Sequence, residues 1–450
     1  MTPARLSIGG FLRLAAPLIV SRAGLSTMSM ADGVMVAWHS AGELADLSLA
    51  IGTQERLLGV LAVFPLSGLA LAPRFFARGD LEGARDVWLR SAWIGLLLGA
   101  ACLLCGVFGE QLLLLFGQSP QAAAGAAPLM LGFALGAPPA MLAISAAVYL
   151  EGVGRQRDVA LCVFAANVGN LALDWALIFG RFGLPALGAS GSVTATSLVR
   201  VALAVVLCVM AWRRPRGEMR ACDMKERDEA RSLQWRMGAS AAATAAASAP
   251  LSASMTLMAG RLGPGPLAAF AGTWNLLDPF LLIVGGLADA AGIVVAAEAG
   301  RAGAGAALAK IRSALAITSG VALAITAAFV VLPQDIADLL TGDPELRAAI
   351  AVLLPAAALL ILVNAAGNVL SASARALRDA VAPALVDFVS LLAMALLAAV
   401  LVLQSGYSVM GLFIASLASA ILRATLLFFR IRQLMTPAAP SSIVRTRHAD

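Results

Sequence analysis

The sequence predicts an all-α polytopic membrane protein with twelve transmembrane helices in two pseudo-symmetric six-helix bundles. Three observations support this fold class: long apolar runs, a one-sided distribution of basic residues and an internal repeat. Charged residues make up 13% of the 450 residues, whereas soluble globular proteins contain about 25%. The runs 317–332 and 391–403 contain no charged residue, so they are expected in lipid or in a buried helical core.

Twelve segments are long and apolar enough to cross the hydrocarbon core, which requires about 20 residues in a helix. The first apolar run continues to residue 38 without a small-residue cleavage site, so no cleavable signal peptide is expected. The predicted spans are 14–38, 46–73, 88–116, 124–150, 158–179, 186–211, 238–260, 267–298, 311–333, 347–371, 382–403 and 407–430.

The lysine and arginine residues test this count independently, because the cytoplasmic loops of membrane proteins are enriched in positive charge. With a cytoplasmic N-terminus, 25 of the 32 basic residues lie in cytoplasmic segments and three lie on the opposite side. The other four, Arg22, Arg56, Arg200 and Arg423, lie within spans. We therefore expect a multi-pass protein of the inner (cytoplasmic) membrane with both termini in the cytoplasm. Because topology explains the basic excess, no nucleic-acid partner is expected.

The chain divides near its middle into two halves with similar sequences. Segment 52–58 resembles segment 272–277, and segment 149–158 resembles segment 369–379. Parallel repeats of this kind are typical of secondary transporters, whose substrate path lies between the repeats. The predicted domains are an N-terminal six-helix lobe (1–211), a cytoplasmic linker (212–237), a C-terminal six-helix lobe (238–432) and a cytoplasmic tail (433–450).

Enzymatic and ATP-driven functions are not expected from this sequence. Its two lysines, Lys225 and Lys310, do not follow a glycine-rich phosphate-binding loop. The sequence has no cluster of histidine, aspartate or serine near one face that would suggest a membrane enzyme, and the two-lobe repeat disfavours a channel. Uphill transport then requires an ion gradient, and no cofactor other than a coupling ion is expected.

Ionisable side chains inside a bilayer are energetically costly and mark candidate functional sites. Asp32 in span one and Asp174 in span five both lie near the outer end of their span, roughly 8–9 Å below the outer boundary at the rise of an α-helix. Asn170 lies one turn before Asp174 on the same helical face. These three side chains can therefore contribute to one site.

Span six can add a hydroxyl to this site, because Ser192, Thr194 and Thr196 lie at a similar depth. Two neighbouring carboxylates in a low-dielectric environment can share a proton near neutral pH. The same carboxylate, amide and hydroxyl oxygens could instead ligate Na⁺. We interpret the cluster as a coupling-ion site; the alternative is a structural polar pair between packed helices.

Several stretches occur in a specific order: LRLAAPLIVS and MADGVMVAW in span one, EGVGRQRD after span four, NVGNLALDWALIFG in span five, PALGASGSVTATSLVR into span six, and MAGRLGPGPLAAFAGTWNLL and AEAGRAG around span eight. With them the chain resembles the multidrug and toxic compound extrusion (MATE) transporters over residues 13–432. The resemblance implies a proton- or sodium-driven antiporter that exports organic, often cationic, compounds. It also implies two six-helix lobes around a V-shaped central cavity.

The resemblance further assigns cation binding to four positions of this chain. These positions are Asp32, Asn170, Asp174 and a span-six hydroxyl, either Thr194 or Ser192. Pro17 matches a span-one proline at which some members bend upon protonation. Some sodium-driven members also use acidic residues in spans seven and ten, where this chain has none and offers only Asn364 and Asn368 in span ten. This difference favours proton coupling in the first lobe.

Other residues are candidates for substrate contact or for simple helix packing. Asp278 and Asp289 in span eight either face a cationic substrate or have a structural role, and Glu55 is expected to pair with the adjacent Arg56. Soft and aromatic side chains suit a wall that accepts varied ligands. The uncharged candidates are Trp274, Asn275, Met255, Met258, Met28 and Met35.

We therefore predict a cation-coupled antiporter, with the proton favoured as the coupling ion. It is expected to export cationic or amphipathic drugs or metabolites by alternating access. The alternative is a lipid-linked saccharide flippase of the same superfamily. Such flippases carry cationic cavity residues that meet pyrophosphate, whereas the intramembrane excess here is acidic. The expected partners are a small organic substrate and membrane lipid, with no obligate protein partner.

Overall fold

The computed structural model describes residues 7–213, 224–338, 344–379, 381–404 and 408–435. The helices of the first bundle are α1 (Ile8–His39), α2 (Ala41–Ala50), α3 (Arg56–Ala62), α4 (Gly68–Ala77), α5 (Leu81–Val107), α6 (Gly109–Leu115), α7 (Pro120–Leu135), α8 (Ala137–Gly152), α9 (Gln156–Ile178) and α10 (Ala189–Trp212). Those of the second bundle are α11 (Met224–Arg261), α12 (Pro264–Ala302), α13 (Ala304–Val331), α14 (Pro333–Asp338), α15 (Pro344–Ala376), α16 (Ala382–Ala399) and α17 (Val409–Met435).

The predicted fold class is confirmed by these helices. Within the described ranges, ten helical segments are long and apolar enough to cross a membrane. The helices α1 and α11, with 32 and 38 residues, occupy the positions of predicted spans one and seven. Both can span a bilayer at about 1.5 Å per residue. The charged first turns of α11 and its many serine and threonine residues make it the less apolar of the two helices.

Two of the predicted spans are interrupted helices. Span two consists of α2, a π-helical turn (Ile51–Glu55), α3, a 3₁₀ turn (Pro65–Ser67) and α4. Pro65 lacks the N–H that an α-helix would use, so regular hydrogen bonding cannot continue through it. Span four divides at Gly136 into α7 and α8. π-Helical turns often occur at functional sites, and this one contains Glu55.

The predicted linker and tail are partly helical in the structure. α11 begins at Met224, within the predicted linker 212–237. Residues 225–236 contain good helix formers and neither glycine nor proline, so the helix starts well before the membrane. Residues 214–223 of the linker lie outside the described residues. α17 extends to Met435, and the remainder of the predicted tail 433–450 also lies outside them.

The outer faces of the helices carry stripes of exposed apolar side chains. On α9, Leu161, Phe164, Val168 and Leu171 are all more than half exposed, and their spacing of three or four residues places them on one helical face. A soluble monomer rarely exposes apolar patches of this kind. These stripes are therefore the lipid-facing surface of a membrane protein.

The two bundles contact each other near one side of the membrane. We call this side, at which α1 begins and near which most arginines lie, the basic side. An apolar cluster there joins Phe11 and Leu18 of α1 to Leu287 and Ala290 of α12. Close by, the Nε of Arg78 at the end of α4 donates to the carbonyl oxygen of Gly300 in α12 at 2.6 Å. The contact therefore involves the basic-side halves of these helices.

Within the first bundle, the packing of α5 against α8 allows a test of the fold. A Cβ atom added at the buried Gly99 of α5 would lie 2.6 Å from the Cα of Pro138, whose backbone cannot move aside. We expect Gly99→Ala to lower stability by about 1–3 kcal/mol through overpacking, seen as a lower apparent Tm in detergent. Gly320 of α13 is the matched control, since no atom lies within 4 Å of its added Cβ. Equal Tm changes in the two variants would contradict the described packing.

Candidate functional site

The helices α1 and α9 bring Asp32 and Asp174 together. A Cβ atom added at Gly24 of α1 would lie 2.6 Å from Cγ1 of Val163 in α9, so glycine permits the close approach of the two helices. Both aspartates are fully buried, and their carboxyl groups lie within hydrogen-bonding range of each other. The two carboxyl groups expected at one depth thus share one buried site.

The helix α10 adds hydroxyl groups to this pair. The hydroxyl of Thr196 donates to Oδ2 of Asp32 at 2.8 Å and accepts from Nδ2 of Asn170 at 3.2 Å. Ser192, one turn earlier on α10, is fully buried beside the carboxyl group of Asp174. We refer to these five residues as the acidic site; it joins α1, α9 and α10.

The depth of α10 is fixed by the turn that precedes it. Gly188 has φ 57°, a left-handed conformation that favours glycine. The N–H of Ala189, the first residue of α10, donates to Oε2 of Glu43 in α2 at 2.6 Å, and a carboxylate is favourable at a helix N-terminus. This anchor sets the level at which Ser192 and Thr196 enter the acidic site.

Thr194, one of the two hydroxyls expected in the site, lies outside it. Its side chain is exposed, and its hydroxyl donates to the carbonyl oxygen of Ser190 on the same helix at 2.7 Å. Two residues correspond to about 200° of helical rotation, so Thr194 points away from the face that carries Ser192. Thr196 lies four residues after Ser192 on that same face. The spacing that relates Asn170 to Asp174 could therefore have identified it.

Several oxygens of the acidic site have no hydrogen-bond donor among the described residues. They are Oδ1 of Asp32, both carboxylate oxygens of Asp174 and the hydroxyl oxygen of Ser192. A buried ionised carboxylate without a donor carries a large desolvation cost. A shared proton or a small cation bound by these oxygens would remove that cost. The residues present therefore fit the uptake of a single small cation.

A bidentate ion pair borders the acidic site. Nη1 and Nη2 of Arg200 lie 2.9 Å and 2.5 Å from the two carboxylate oxygens of Glu55. The expected pairing of Glu55 with Arg56 is wrong, since consecutive residues of a helix point in different directions. Because Arg200 is already held by Glu55, it does not form an ion pair with the neighbouring Asp32.

Comparisons with known proteins place this chain among membrane transporters. The MatE family model matches residues 17–176 and 241–400, one match in each bundle and together more than half of the chain. The chain belongs to the MATE family. The "Probable multidrug resistance protein NorM" of Caulobacter vibrioides is 28% identical over 439 residues, which cover 94% of this chain and 91% of the relative. This family is one of multidrug efflux transporters, which does not favour the flippase alternative.

Solved MATE structures share the fold of this MATE transporter. A structure described as "Crystal structure of MATE in the bent conformation" has a TM-score of 0.85 at 18% identity, over 94% of both chains. An "Outward-facing conformation of a multidrug resistance MATE family transporter of the MOP superfamily" has a TM-score of 0.83 at 18% identity, over 94% of this chain and 96% of that chain. The arrangement of two bundles is thus the MATE fold.

A second charged group joins the two bundles of this MATE transporter. Nη2 of Arg22 in α1 lies 3.0 Å from Oε2 of Glu151 in α8, and its Nε lies 3.1 Å from Oδ2 of Asp289 in α12. The hydroxyl of Ser21 donates to Oε1 of the fully buried Glu151 at 3.1 Å. We call Arg22, Glu151 and Asp289 the interbundle clamp. Asp289, considered above for substrate contact, thus forms an ion pair between bundles.

The other expected substrate contacts divide between cavities and packed cores. Met28 lines a cavity of about 230 Å³ in the first bundle, and Trp274 lines one of about 400 Å³ in the second. The remaining candidates lie in apolar cores, as do Met35, Met255 and Met258, or are exposed on α12, as are Asn275 and Asp278.

The charge of the second-bundle cavity differs from the expected acidic excess. Arg375, Arg423 and Asp387 line it, so its local charge is positive. The predicted span ten ends at residue 371, so Arg375 was expected in the loop that follows it. α15 continues to Ala376, and this extension brings Arg375 into the bundle.

The two threonines of α10 provide a matched test of the acidic site. Thr196→Val keeps the shape of the side chain but removes the donor to Asp32. A buried hydrogen bond to a charged group contributes about 1.5–3 kcal/mol, so the ionised site becomes less stable. We expect gradient-driven ethidium efflux from proteoliposomes to fall roughly tenfold. Thr194→Val should leave the rate unchanged, and equal rates in the two variants would exclude the described role of Thr196.

Proposed function

We propose that this MATE transporter exports organic compounds in exchange for protons, with Asp32 and Asp174 carrying the coupling proton. The observation that supports this proposal is the buried contact of the two carboxyl groups, three of whose oxygens lack a donor among the described residues. In a low-dielectric site such a pair requires a proton or another cation between its members. Uptake and release of that cation change the charge of the site by one unit.

The proton is favoured over Na⁺ by spans seven and ten, which lack the acidic residues that some sodium-driven members use there. A proton held between the carboxyl groups also leaves both hydrogen bonds of the Thr196 hydroxyl, to Asp32 and from Asn170, in place. One charge moving through 100 mV releases about 2.3 kcal/mol, enough for a roughly 50-fold substrate gradient.

The way the bundles contact each other supports a transport cycle of alternating access. We assign the basic side to the cytoplasm, in accord with the positive-inside rule, and both termini of this inner-membrane protein to the same side. The interbundle clamp and the contact of Arg78 with Gly300 then close the cytoplasmic side in the described conformation. Separation of the bundles at this contact would open the substrate path to the cytoplasm.

The helix α1 connects the acidic site to the clamp. Asp32 and Arg22 lie ten residues apart on this one helix, a distance of about 15 Å along its axis. Pro17 lies inside the same helix, next to Leu18 of the interbundle cluster. Because proline removes one helical hydrogen bond, a bend at Pro17 would move Arg22 relative to Glu151 and Asp289. Ion occupancy at Asp32 can act on the clamp by this route.

The coupling role of the aspartates is tested by their amide variants. Asp32→Asn and Asp174→Asn keep the side-chain shape but cannot exchange a proton, so we expect ethidium efflux driven by an imposed pH gradient to fall roughly tenfold or more. Ethidium binding in detergent should persist in both variants. Asp335→Asn, which changes an exposed acid of α14, is the control. Efflux driven by a sodium gradient alone would overturn the choice of the proton.

The clamp is tested by replacement of Arg22. Arg22→Gln removes the link to Asp289, so we expect the cytoplasmic side to open more often. The readout is thiol labelling of Ser67→Cys, in the cavity between the bundles, in a background without the five native cysteines. Labelling from the cytoplasmic side should be roughly fivefold faster, since the closed state loses a partly exposed ion pair between the bundles, worth about 1 kcal/mol.

Two further variants make the clamp experiment specific. Arg13→Gln changes an exposed arginine on the same helix and should not alter labelling. The double variant Arg22→Gln/Glu151→Gln leaves no unpaired charge on Glu151, so it separates loss of the clamp from misfolding. Slow labelling in the folded double variant would show that the clamp does not hold the bundles together.

A further inference from the structure

The second bundle contains a cavity that is separate from the acidic site. Its volume is about 400 Å³, within the range of small-molecule sites, about 300–1,000 Å³. Side chains from α11, α12, α15, α16 and α17 line it, among them Trp274, Leu391 and Met394 on the apolar side and Ser240 and Thr244 on the polar side. A ligand with an aromatic or aliphatic body would find matching surface here.

Two arginines and one aspartate also line this cavity. Nε of Arg423 donates to Oδ1 of Asp387 at 2.6 Å, and its Nη1 donates to Oδ1 of Asn368 at 2.7 Å. Asp387 is therefore already neutralised. Arg375 donates through Nη1 to the hydroxyl of Ser371 at 2.9 Å, and no carboxylate in the described part of the chain lies within ion-pair distance of it. Among its described lining residues the cavity thus has one more positive than negative side chain, and Arg375 is the one without an ion-pair partner.

Asp289 is the acid that could otherwise neutralise Arg375. Asp289 and Arg375 line the same small cavity of about 130 Å³ between the bundles. However, Asp289 is held by Arg22 at 3.1 Å, which leaves Arg375 without a direct carboxylate partner. A guanidinium presents five N–H donors, and its planar fork matches the two oxygens of a carboxylate.

We infer that the second-bundle cavity binds the carboxylate of an organic substrate through Arg375, with the apolar body of the substrate against Trp274, Leu391 and Met394. This inference rests on the proposed export function, because it places the cavity on the substrate path. It extends the substrate class beyond the cationic compounds that the sequence analysis favoured. Anionic or zwitterionic organic carboxylates are the compounds that this charge selects.

A pair of dyes that differ in one group tests the inference. Rhodamine 110 carries a free carboxylate, and rhodamine 123 is its methyl ester with the same ring system. In fluorescence-polarisation binding to the detergent-solubilised full chain, Arg375→Gln should weaken rhodamine 110 binding roughly tenfold or more, as expected for loss of a charged hydrogen-bond pair. Rhodamine 123 binding should change less than twofold. Arg312→Gln, which changes an exposed arginine of α13, should affect neither dye.

Further measurements address folding, lipid and the transport cycle. Arg375→Lys keeps the positive charge but not the planar, two-pronged guanidinium. It should therefore retain part of the rhodamine 110 affinity, and this partial retention shows that the variant is folded. An equal loss for both dyes, or no loss for either, would overturn the inference. Displacement of rhodamine 110 by phosphatidylglycerol would assign Arg375 to a lipid headgroup and would overturn it too. Binding in detergent needs no ion gradient, so failure of the inference and failure of proton coupling can be told apart.

Discussion

The structure depends on one constraint: an ionisable side chain inside the bilayer must find an opposite charge or lose its own. Most intramembrane acids meet this constraint by pairing with arginine. The pairs are Arg200 with Glu55, Arg423 with Asp387, and Arg22 with Glu151 and Asp289. In the acidic site, however, carboxyl faces carboxyl, because the nearby arginine is already engaged. No described side chain neutralises Asp32 and Asp174 by an ion pair, and the coupling cation that we propose would supply the missing charge.

The depth of a residue along a helix could be predicted from the sequence, because it follows from the helical rise alone. This is why Asp32 and Asp174 were expected at one level. Contacts across helices depend instead on the rotation of each helix about its axis, which apolar spans encode poorly because their hydrophobic pattern is nearly uniform. The prediction of Thr194 as a site residue was wrong because it misjudged the rotation of α10 about its axis, which places Thr196 in the site instead. Glu151 was missed for another reason. The predicted span four ends at residue 150, which places this buried acid in a loop, whereas α8 continues to Gly152.

The two bundles keep a common framework but differ in their charged interiors. Arg200 and Arg423 occupy matching places in α10 and α17, and each pairs with an acid of its own bundle, Glu55 or Asp387. Beyond this shared pair, the first bundle holds two facing carboxyl groups and the second holds the unbalanced Arg375. The repeated scaffold has therefore acquired opposite interior charges. The proposed coupling cation and the proposed organic carboxylate would therefore bind in different bundles, without competing for the same side chains.

In the alternating-access cycle that we propose, the exposure of the clamp residues indicates where the bundles would separate. The side chain of Glu151 is 0% exposed and that of Asp289 is 27% exposed. Separating Arg22 from Glu151 would leave a fully buried charge without a partner, which is strongly unfavourable. Separating Arg22 from Asp289 exposes two groups that water can already reach, and the cost is correspondingly smaller. In this cycle Arg22 would therefore stay with the first bundle when the contact opens. Because Arg22 shares α1 with Asp32, a movement of α1 would in the proposed cycle act on both the acidic site and the contact between the bundles.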